Sequence, residues 1–389
     1  MRTIVRLTTD DGLTGIGETG PSAVHRFQRD DLAPRFLREV TPKVLGADPR
    51  HSDQLLERLG WSGDGVAVEM ACWDIVAKSV GLPVGELLGN RPLPEALPIA
   101  AYVFFRAPDP DGNGAVTPDN LAAVARDLVA EYGFETIKIK TGVYDPATEL
   151  EVTRQVRESF PNVPLRIDPN GAWSVATALR AMRDLEELDL EFVEDPIKDS
   201  PLGVPQEILT GRTVDIDGFR RLRAASRTPL CADNCYRLDL LRQIIRQEAA
   251  DVVLADVFGC GGMRGTVRWL QAADLFHLGL GMHSGTELGI GQLAKLHAIG
   301  AVGTRVGHAS DAIYPEYVDD ILEGGKLTIE GGRMQIPRDP GLGRGLDEHR
   351  LARWELTEER HEELDQYWEH LLHERGINGA EASMLVRGY

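Results

Sequence analysis

Charged or coordinating side chains follow most of the short strand-like segments between residues 135 and 285. Most neighbours in this series are separated by roughly one strand and one helix, so in a closed barrel of parallel strands they would meet at its carboxyl end. Such a set predicts a site that combines metal-binding oxygen atoms with acid/base groups. Its members are Lys138, Lys140, Asp168, Glu194, Asp233, Asn234, Asp256 and His283.

Three successive segments end in residues that could bind one divalent cation. Asp168 and Glu194 supply carboxylates, and we take Asn234 as the third ligand, with its neighbour Asp233 as the alternative. Hard oxygen ligands with room for water and substrate favour Mg²⁺. Each acid alone is also typical of a turn, because proline follows it closely, but three in register favour the metal site.

Lys138 and Lys140 alternate with isoleucines in ETIKIK, so both side chains would point to one side of a strand. Inside a barrel an unpaired ammonium is costly, and a lysine beside a cation and another lysine has a lowered pKa and can act as a base. A solvated edge strand is the alternative, but helical segments precede and follow this one. The segment is therefore interpreted as an inner strand.

Asp256 and His283 end neighbouring strand-like segments. A carboxylate at that distance could orient the imidazole and raise its basicity. Lys140 and His283 would then lie on opposite sides of the cation, facing the two sides of a bound carbon acid. The residues thus predict two acid/base groups at one metal site.

The elements that position these residues fall into three parts. Residues 1–95 are predicted to form a small α+β capping domain, with a hairpin around Asp10-Asp11-Gly12. Residues 96–325 alternate strand-like and helical segments through seven or eight repeats, which indicates a closed α/β barrel. Residues 326–389 form a C-terminal segment that we expect to return towards the cap.

Composition narrows the class of protein. The 389 residues include 42 Lys+Arg and 61 Asp+Glu, for a formal net charge of −19, which argues against nucleic-acid binding. No apolar run is long enough to span a membrane, and the start lacks the pattern of a signal peptide. The four cysteines lack the spacing of a disulfide scaffold, so we expect a cytoplasmic protein without a membrane partner.

The lysine pair, the acidic ligands and the later Asp–His pair, behind an α+β cap, resemble the enolase superfamily. Within it the sequence is most similar to glucarate dehydratase and related acid-sugar dehydratases, over about residues 1–345. The segments that carry the resemblance are YGFETIKIKTGV, FPNVPLRIDPNGAWS, EFVEDP, VLADVFGCGGMRGTVR and HSGTELGI. The resemblance implies a modified TIM barrel of the (β/α)7β type, a Mg²⁺ cofactor, a homo-oligomer and removal of a proton α to a carboxylate.

The resemblance also implies residue roles. Lys140 and His283 would be the acid/base pair, Lys138 would assist electrostatically, and Asp256 would orient His283. The residues expected to contact substrate are Asn170, Tyr102, Ser284 and Glu287.

Three departures from the family pattern accompany these expectations. We expect the first cap strand of the family to be missing or supplied otherwise. An extra stretch at about 200–217 separates the second and third expected metal ligands, and Ser284-Gly285-Thr286-Glu287 and Asp311-Ala312-Ile313 replace polar motifs of the family. From the resemblance we expect a Mg²⁺-dependent acid-sugar dehydratase (a hydro-lyase) acting on a glucarate-like hexarate or an aldonate. The alternatives are a racemase or epimerase of a hydroxy acid on the same site, and a non-catalytic scaffold paralogue.

Overall fold

The structure, a computed structural model, describes residues 2–20, 32–61, 63–108, 113–197 and 214–355, together with Thr357 and Glu362. Residues 200–213 of the predicted insertion and residues 363–389 of the C-terminal segment lie outside the described residues.

A β-hairpin and a series of helices form the N-terminal part. Strands β1 (Ile4–Thr8) and β2 (Thr14–Glu18) pair antiparallel, as the turn residues between them predict. Gly17 of β2 lies against the helix Asp64–Val80, so closely that a Cβ added to Gly17 would come within 1.8 Å of the Ala67 carbonyl oxygen. The helical elements are α1 (Leu32–Arg35), a π-helical turn (Phe36–Val40), α2 (Thr41–Val44), a 3-10 turn (Pro49–His51), α3 (Ser52–Leu59), α4 (Asp64–Val80) and α5 (Val84–Gly89).

The central part is a seven-stranded parallel sheet in which each strand pairs with the next one along the chain. Its strands are β4 (Ala101–Phe104), β5 (Ile137–Lys140), β6 (Leu165–Asp168), β7 (Phe192–Glu194), β8 (Leu230–Ala232), β9 (Val252–Ala255) and β10 (Gly279–Met282). The connecting helices are α6 (Leu121–Tyr132), α7 (Pro146–Ser159), α8 (Val175–Leu185), α9 (Ile216–Ala225), α10 (Leu238–Gln247) and α11 (Gly262–Asp274). Helix α12 (Gly289–Val302) follows β10.

The segment 308–311 closes this sheet into a ring. The backbone N–H groups of His308 and Asp311 donate to carbonyls of β10, at 3.1 and 3.0 Å. On the other side the Ser310 N–H donates to the Pro98 carbonyl at 2.9 Å, and the Ser310 carbonyl accepts from Ala100 at 2.9 Å. The expected modified TIM barrel with an α+β cap is therefore confirmed.

The interior of the barrel is filled on one side by an apolar cluster and on the other by paired charges. Phe192, Cys231, Val252 and Leu254 pack together on the inner faces of β7, β8 and β9. Arg166, one strand earlier, is fully buried and donates to the Ala309 carbonyl at 2.7 Å. Alternation along each strand places both kinds of residue inside the barrel.

The C-terminal part of the described chain joins the barrel to the cap. A three-stranded sheet combines β3 (Ala96–Pro98), β11 (Ile329–Glu330) and β12 (Arg333–Gln335), and α13 (Glu348–Arg353) follows. Further along, the Leu342 N–H donates at 2.8 Å to Asp74 of α4. Among the helices that the structure describes, none has the length and hydropathy needed to cross a membrane.

Two buried glutamates of the N-terminal part cap helices of the barrel. Glu69 of α4 accepts hydrogen bonds from the N–H groups of Met263 and Arg264, at 2.9 and 3.1 Å, at the start of α11. Glu18 of β2 accepts from Leu288 and Gly291 at 2.8 Å each, at the start of α12. A carboxylate at a helix N-terminus satisfies free N–H groups and the helix dipole, so these contacts fix the cap on the carboxyl end of the barrel.

Candidate active site

Lys138 lies in the floor of the site, surrounded by carboxylates. Its fully buried ammonium is 2.6 Å from Glu194, 2.6 Å from Asp311 and 3.3 Å from Asp168. Burial alone would lower the pKa of Lys138, but the facing carboxylates outweigh it and raise this pKa well above its usual value. Lys138 is therefore a fixed positive charge, which agrees with the electrostatic role expected for it.

Lys140 is the more accessible of the two lysines. Its side chain is 20% exposed, against 0% for Lys138, and its ammonium is hydrogen-bonded to Asp168. Burial opposes the ammonium charge, but Asp168 outweighs it and raises the pKa of Lys140 above its usual value. The lowered pKa expected beside a cation is thus not produced by the protein's own groups, because the attraction of the Asp168 carboxylate for the ammonium dominates.

Asp168, Glu194 and Asp233 bring three carboxylates to the ends of β6, β7 and β8, where each is almost completely buried. One oxygen each of Glu194 and Asp233 and a ring nitrogen of His283 lie within 4.8 Å of one another. Burial and the neighbouring Asp168 raise the pKa of Glu194 well above its usual value. Lys140 acts in the opposite sense on Asp168 and holds its pKa far below the usual range, although burial favours the neutral form.

This donor set fits a hard divalent cation. Three carboxylates from successive strands supply the oxygen ligands that Mg²⁺ prefers. Burial is the main cause of the raised pKa of Glu194, and a cation bound beside it would favour the charged carboxylate. Of the sequence-predicted ligands, Glu194 lies in the group with Asp233 and His283, and Asp168 ends the neighbouring strand β6. That they bind a cation stays a prediction.

Asp233, rather than Asn234, is the better third ligand. The Asp233 carboxylate lies beside Glu194 and His283, whereas the side-chain amide of Asn234 donates to Asp195 at 2.9 Å. Asn234 adopts a left-handed backbone conformation, with φ of 56°. The contacts therefore favour Asp233, the alternative named from the sequence, over Asn234, and the identity of the third ligand stays a prediction.

His283 lies at the end of β10 with its side chain 19% exposed. Its Nδ1 atom is 3.2 Å from Asp233 Oδ2, and among the described residues this nitrogen has no hydrogen bond. Asp256, expected to orient His283, accepts instead from the Gly259 N–H at 2.6 Å. Burial raises the pKa of Asp256 while the nearby His283 opposes that rise, so the two side chains interact through charge.

Tyr102 and Asn170 flank the lysines and the first carboxylate. The ammonium groups of Lys138 and Lys140 lie 4.8 and 5.9 Å from the centroid of the Tyr102 ring, which is the range of cation–π contacts. Burial raises the pKa of Tyr102 to about 12. The Asn170 N–H donates to Asp168 at 2.8 Å, and Asn170 itself remains partly exposed at the opening, where contact with substrate stays a prediction.

Ser284 and Glu287 follow His283 but are directed into the protein. Glu287 is 3% exposed and forms an ion pair with Lys295 of α12. The Ser284 hydroxyl donates to Glu287 at 3.1 Å. Although burial opposes ionisation, Lys295 holds the pKa of Glu287 below its usual value. This geometry favours a role in holding the loop after His283 over the substrate contact expected from the sequence.

Comparison with known families follows the two structural parts. Residues 120–350 match the family model described as "Enolase C-terminal domain-like", and residues 2–89 match "Mandelate racemase / muconate lactonizing enzyme, N-terminal domain". The chain belongs to the enolase superfamily. The resemblance inferred from its strand-end residues is thereby confirmed.

Individual relatives of this superfamily member differ in reaction. A probable glucarate dehydratase of Streptomyces coelicolor is 32% identical over 90% of this chain and 84% of the relative. An N-succinyl-L-Arg/Lys racemase of Bacillus cereus is 25% identical over 91% and 89%. Among solved structures, an enolase of Thermobispora bispora, complexed with magnesium and formate, superposes with a TM-score of 0.79 at 28% identity over 98% of this chain and 92% of that one.

Two charged residues of this enolase-superfamily site were not singled out as functional from the sequence. Asp311, in the closing segment, lies 2.6 Å from Lys138 and 3.1 Å from Arg166. Lys295, in α12, pairs with Glu287 and also donates to the Asp311 carbonyl at 2.7 Å. Asp311 could have been found by treating the closing segment as an eighth strand, since it occupies the same position as the other strand-end acids.

The N-terminal residues of this superfamily member reach the loop after His283. Arg2 donates to the Gly285 carbonyl at 2.7 Å and to the Thr286 hydroxyl at 2.9 Å. Its guanidinium also lies 3.4 Å from the buried Glu18. Burial raises the pKa of Glu18 to about 7, with Arg2 acting in the opposite sense. The cap thus fixes the loop that follows His283.

Proposed function

We propose that this chain is a Mg²⁺-dependent acid-sugar dehydratase, which removes the proton α to a carboxylate and eliminates the β-hydroxyl. The observation that carries the proposal is the position of two partly exposed acid/base groups, Lys140 on β5 and His283 on β10. Between them around the ring lie β6, β7 and β8 with their three buried carboxylates. The similarity to a probable glucarate dehydratase over most of the chain supports the same reaction.

Asp168, Glu194 and Asp233 would hold the cation. When bound, Mg²⁺ supplies Lewis-acid stabilisation of the negative charge that develops on the substrate carboxylate. Lys138 supplies a permanent positive charge beneath these carboxylates, because its neighbours keep it protonated. Its burial excludes it from direct proton transfer with a substrate in the opening.

Proton transfer is assigned to the two exposed groups. In its neutral form, one of the pair accepts the α-proton. The other, in its protonated form, donates a proton to the departing β-hydroxyl, which leaves as water, and the resulting enol tautomerises to a 2-keto-3-deoxy acid. Lys140 and His283 approach the substrate from different sides, so the pair can serve substrates whose α-proton faces either strand.

A panel of hexarates and aldonates incubated with the protein and Mg²⁺ tests this reaction. We expect a 2-keto-3-deoxy product from at least one member, detected as its semicarbazone by ultraviolet absorbance. The matched variants are Lys140→Met and His283→Asn, which should each lower the rate of product formation by about 10²–10⁴-fold while the protein stays folded. Absence of any dehydrated product in a protein that binds Mg²⁺ would contradict dehydration.

Racemisation or epimerisation is the second candidate. The same two groups on two sides of one carbon could remove a proton from one face and return it to the other, and a racemase relative is 25% identical over 91% of this chain. In deuterated water this reaction would exchange the α-proton of a hydroxy acid without releasing a dehydrated product. Proton NMR of the same panel separates the two reactions. If the panel shows neither exchange of the α-proton nor a dehydrated product, the result would favour a non-catalytic scaffold.

A further inference from the structure

The carboxylate of Asp233 has different partners on its two oxygens. Oδ1 accepts a hydrogen bond from the hydroxyl of Tyr236 at 2.6 Å, and Oδ2 lies 3.2 Å from His283 Nδ1. The Asp233 N–H donates to Asp195 at 2.9 Å, which fixes the backbone at the same residue. Because one oxygen is held by the hydroxyl, the other is directed towards the interior of the site.

The Tyr236 ring is itself held by the next loop around the barrel. A Cβ at Gly259 would lie 2.0 Å from the ring, so the ring packs directly on the backbone there. The Gly259 N–H donates to Asp256 at 2.6 Å. The backbone of Cys235, the residue before Tyr236, is also held, because its carbonyl accepts a hydrogen bond from the indole N–H of Trp269 at 3.1 Å. Tyr236 therefore connects the loop that carries Asp233 to the loop that carries Asp256.

We propose that Tyr236 is a positioning residue for the cation site, which acts by holding Asp233 Oδ1 and leaving Oδ2 available to the metal. The inference rests on the proposed Mg²⁺ site and adds to it a residue that contacts neither the cation nor the substrate. Groups that orient a metal ligand from behind commonly change metal affinity about 10–100-fold when they are removed. Removing the hydroxyl frees the Asp233 carboxylate to rotate. We expect this to lower the affinity for Mg²⁺ more than it lowers the free energy of unfolding.

Titration calorimetry of the full chain with MgCl₂, in the absence of substrate, tests the inference. We expect Tyr236→Phe to weaken Mg²⁺ binding about 10–100-fold relative to the wild type. Tyr132→Phe is the matched control, because it removes a hydroxyl from a partly exposed tyrosine on α6 and should leave Mg²⁺ affinity unchanged. Near-ultraviolet circular dichroism should show that all three proteins have the same fold.

A second variant approaches the same contact from the other side. Gly259→Ala places a methyl group against the ring and displaces it, so it should weaken Mg²⁺ binding in the same way as the loss of the hydroxyl. In a Tyr236→Ala background the added methyl meets no ring and should cause no further loss. If Gly259→Ala weakened Mg²⁺ binding equally in the wild type and in Tyr236→Ala, the result would count against the proposed connection.

The outcomes distinguish this inference from the proposed function. If the wild type binds Mg²⁺ and Tyr236→Phe binds it with the same affinity, the positioning role is overturned and the cation site remains. If the wild type itself binds no Mg²⁺, the proposed function and this inference are both overturned.

Discussion

His283 Nδ1 lies 3.2 Å from the carboxylate of Asp233, whereas Asp256 is hydrogen-bonded to the backbone of its own loop. The imidazole is therefore placed against the carboxylate that we propose as a cation ligand, rather than against the acid one strand away. One side chain, Asp233, thus joins the acidic cluster to the acid/base group at the end of β10. Proton transfer and cation binding would share this residue.

The two lysines should separate stability from turnover. Lys138→Met leaves Glu194 and Asp311 buried without their ammonium partner, and we expect the free energy of unfolding to fall by about 3–5 kcal/mol. Lys140→Met removes a partly exposed group, so it should cost less stability but lower turnover by about 10²–10⁴-fold. Urea denaturation and the dehydration assay measure the two effects. If Lys140→Met lost more stability than Lys138→Met, the assignment of a structural role to Lys138 and a catalytic role to Lys140 would be contradicted.

Glu287 and Lys295 should behave as one buried ion pair. Lys295→Met alone leaves an unpaired buried carboxylate and should cost about 3–5 kcal/mol, while the double variant with Glu287→Gln should recover part of that loss. A double-mutant cycle by urea denaturation measures the coupling. If Glu287 bound substrate instead, Glu287→Gln would raise KM and show little coupling to Lys295.

His297 predicts acid-dependent stability outside the active site. It is fully buried in α12, accepts from the Gly85 N–H at 3.2 Å, and burial lowers its pKa from 6.5 to about 4. In this window the unfolded chain binds the proton that the folded chain excludes, so stability is lost as pH falls from about 6.5 to 4. The difference between these two pKa values corresponds to a loss of about 3 kcal/mol in the free energy of unfolding.

The His297→Gln variant isolates this contribution. Buried Glu18 and Glu69, with pKa values raised to about 7, stabilise the folded protein in the opposite direction as pH falls, so the wild type alone mixes the effects. The stability difference between wild type and variant should narrow by about 3 kcal/mol between pH 7 and pH 4. Urea denaturation at several pH values measures it, and a constant difference would exclude His297 as the titrating group.

Much of the site could be predicted because the topology of a parallel barrel determines where strand ends meet. Lys140, Asp168 and Glu194 are the last residues of their strands, Lys138 lies two residues before Lys140, and His283 directly follows β10. Their position at one end of the barrel therefore depends only on the alternation of strands and helices. The barrel was predicted from the same alternation, whereas the α+β cap was predicted from its own hairpin and helical patterns. The finer contacts depend on backbone angles and on partners that strand periodicity does not encode.

Asn234 and Glu287 illustrate these limits. Strand periodicity does not choose between the adjacent residues Asp233 and Asn234. The proximity of Asp233 to Glu194 and His283, and the hydrogen bond from the Asn234 amide to Asp195, favour Asp233 as the cation ligand. For Glu287 the deciding partner is Lys295, which belongs to an almost wholly apolar helix and gave no signal of its own. Both contacts required the three-dimensional arrangement.

Anomalous diffraction from crystals soaked in Mn²⁺, as a substitute for Mg²⁺, tests the central claim most directly. The account predicts one strong peak bound by carboxylate oxygens of Asp168, Glu194 and Asp233, with Lys140 and His283 on either side of it. A peak at another place, or no peak between these carboxylates in crystals that have taken up the metal, would contradict the account.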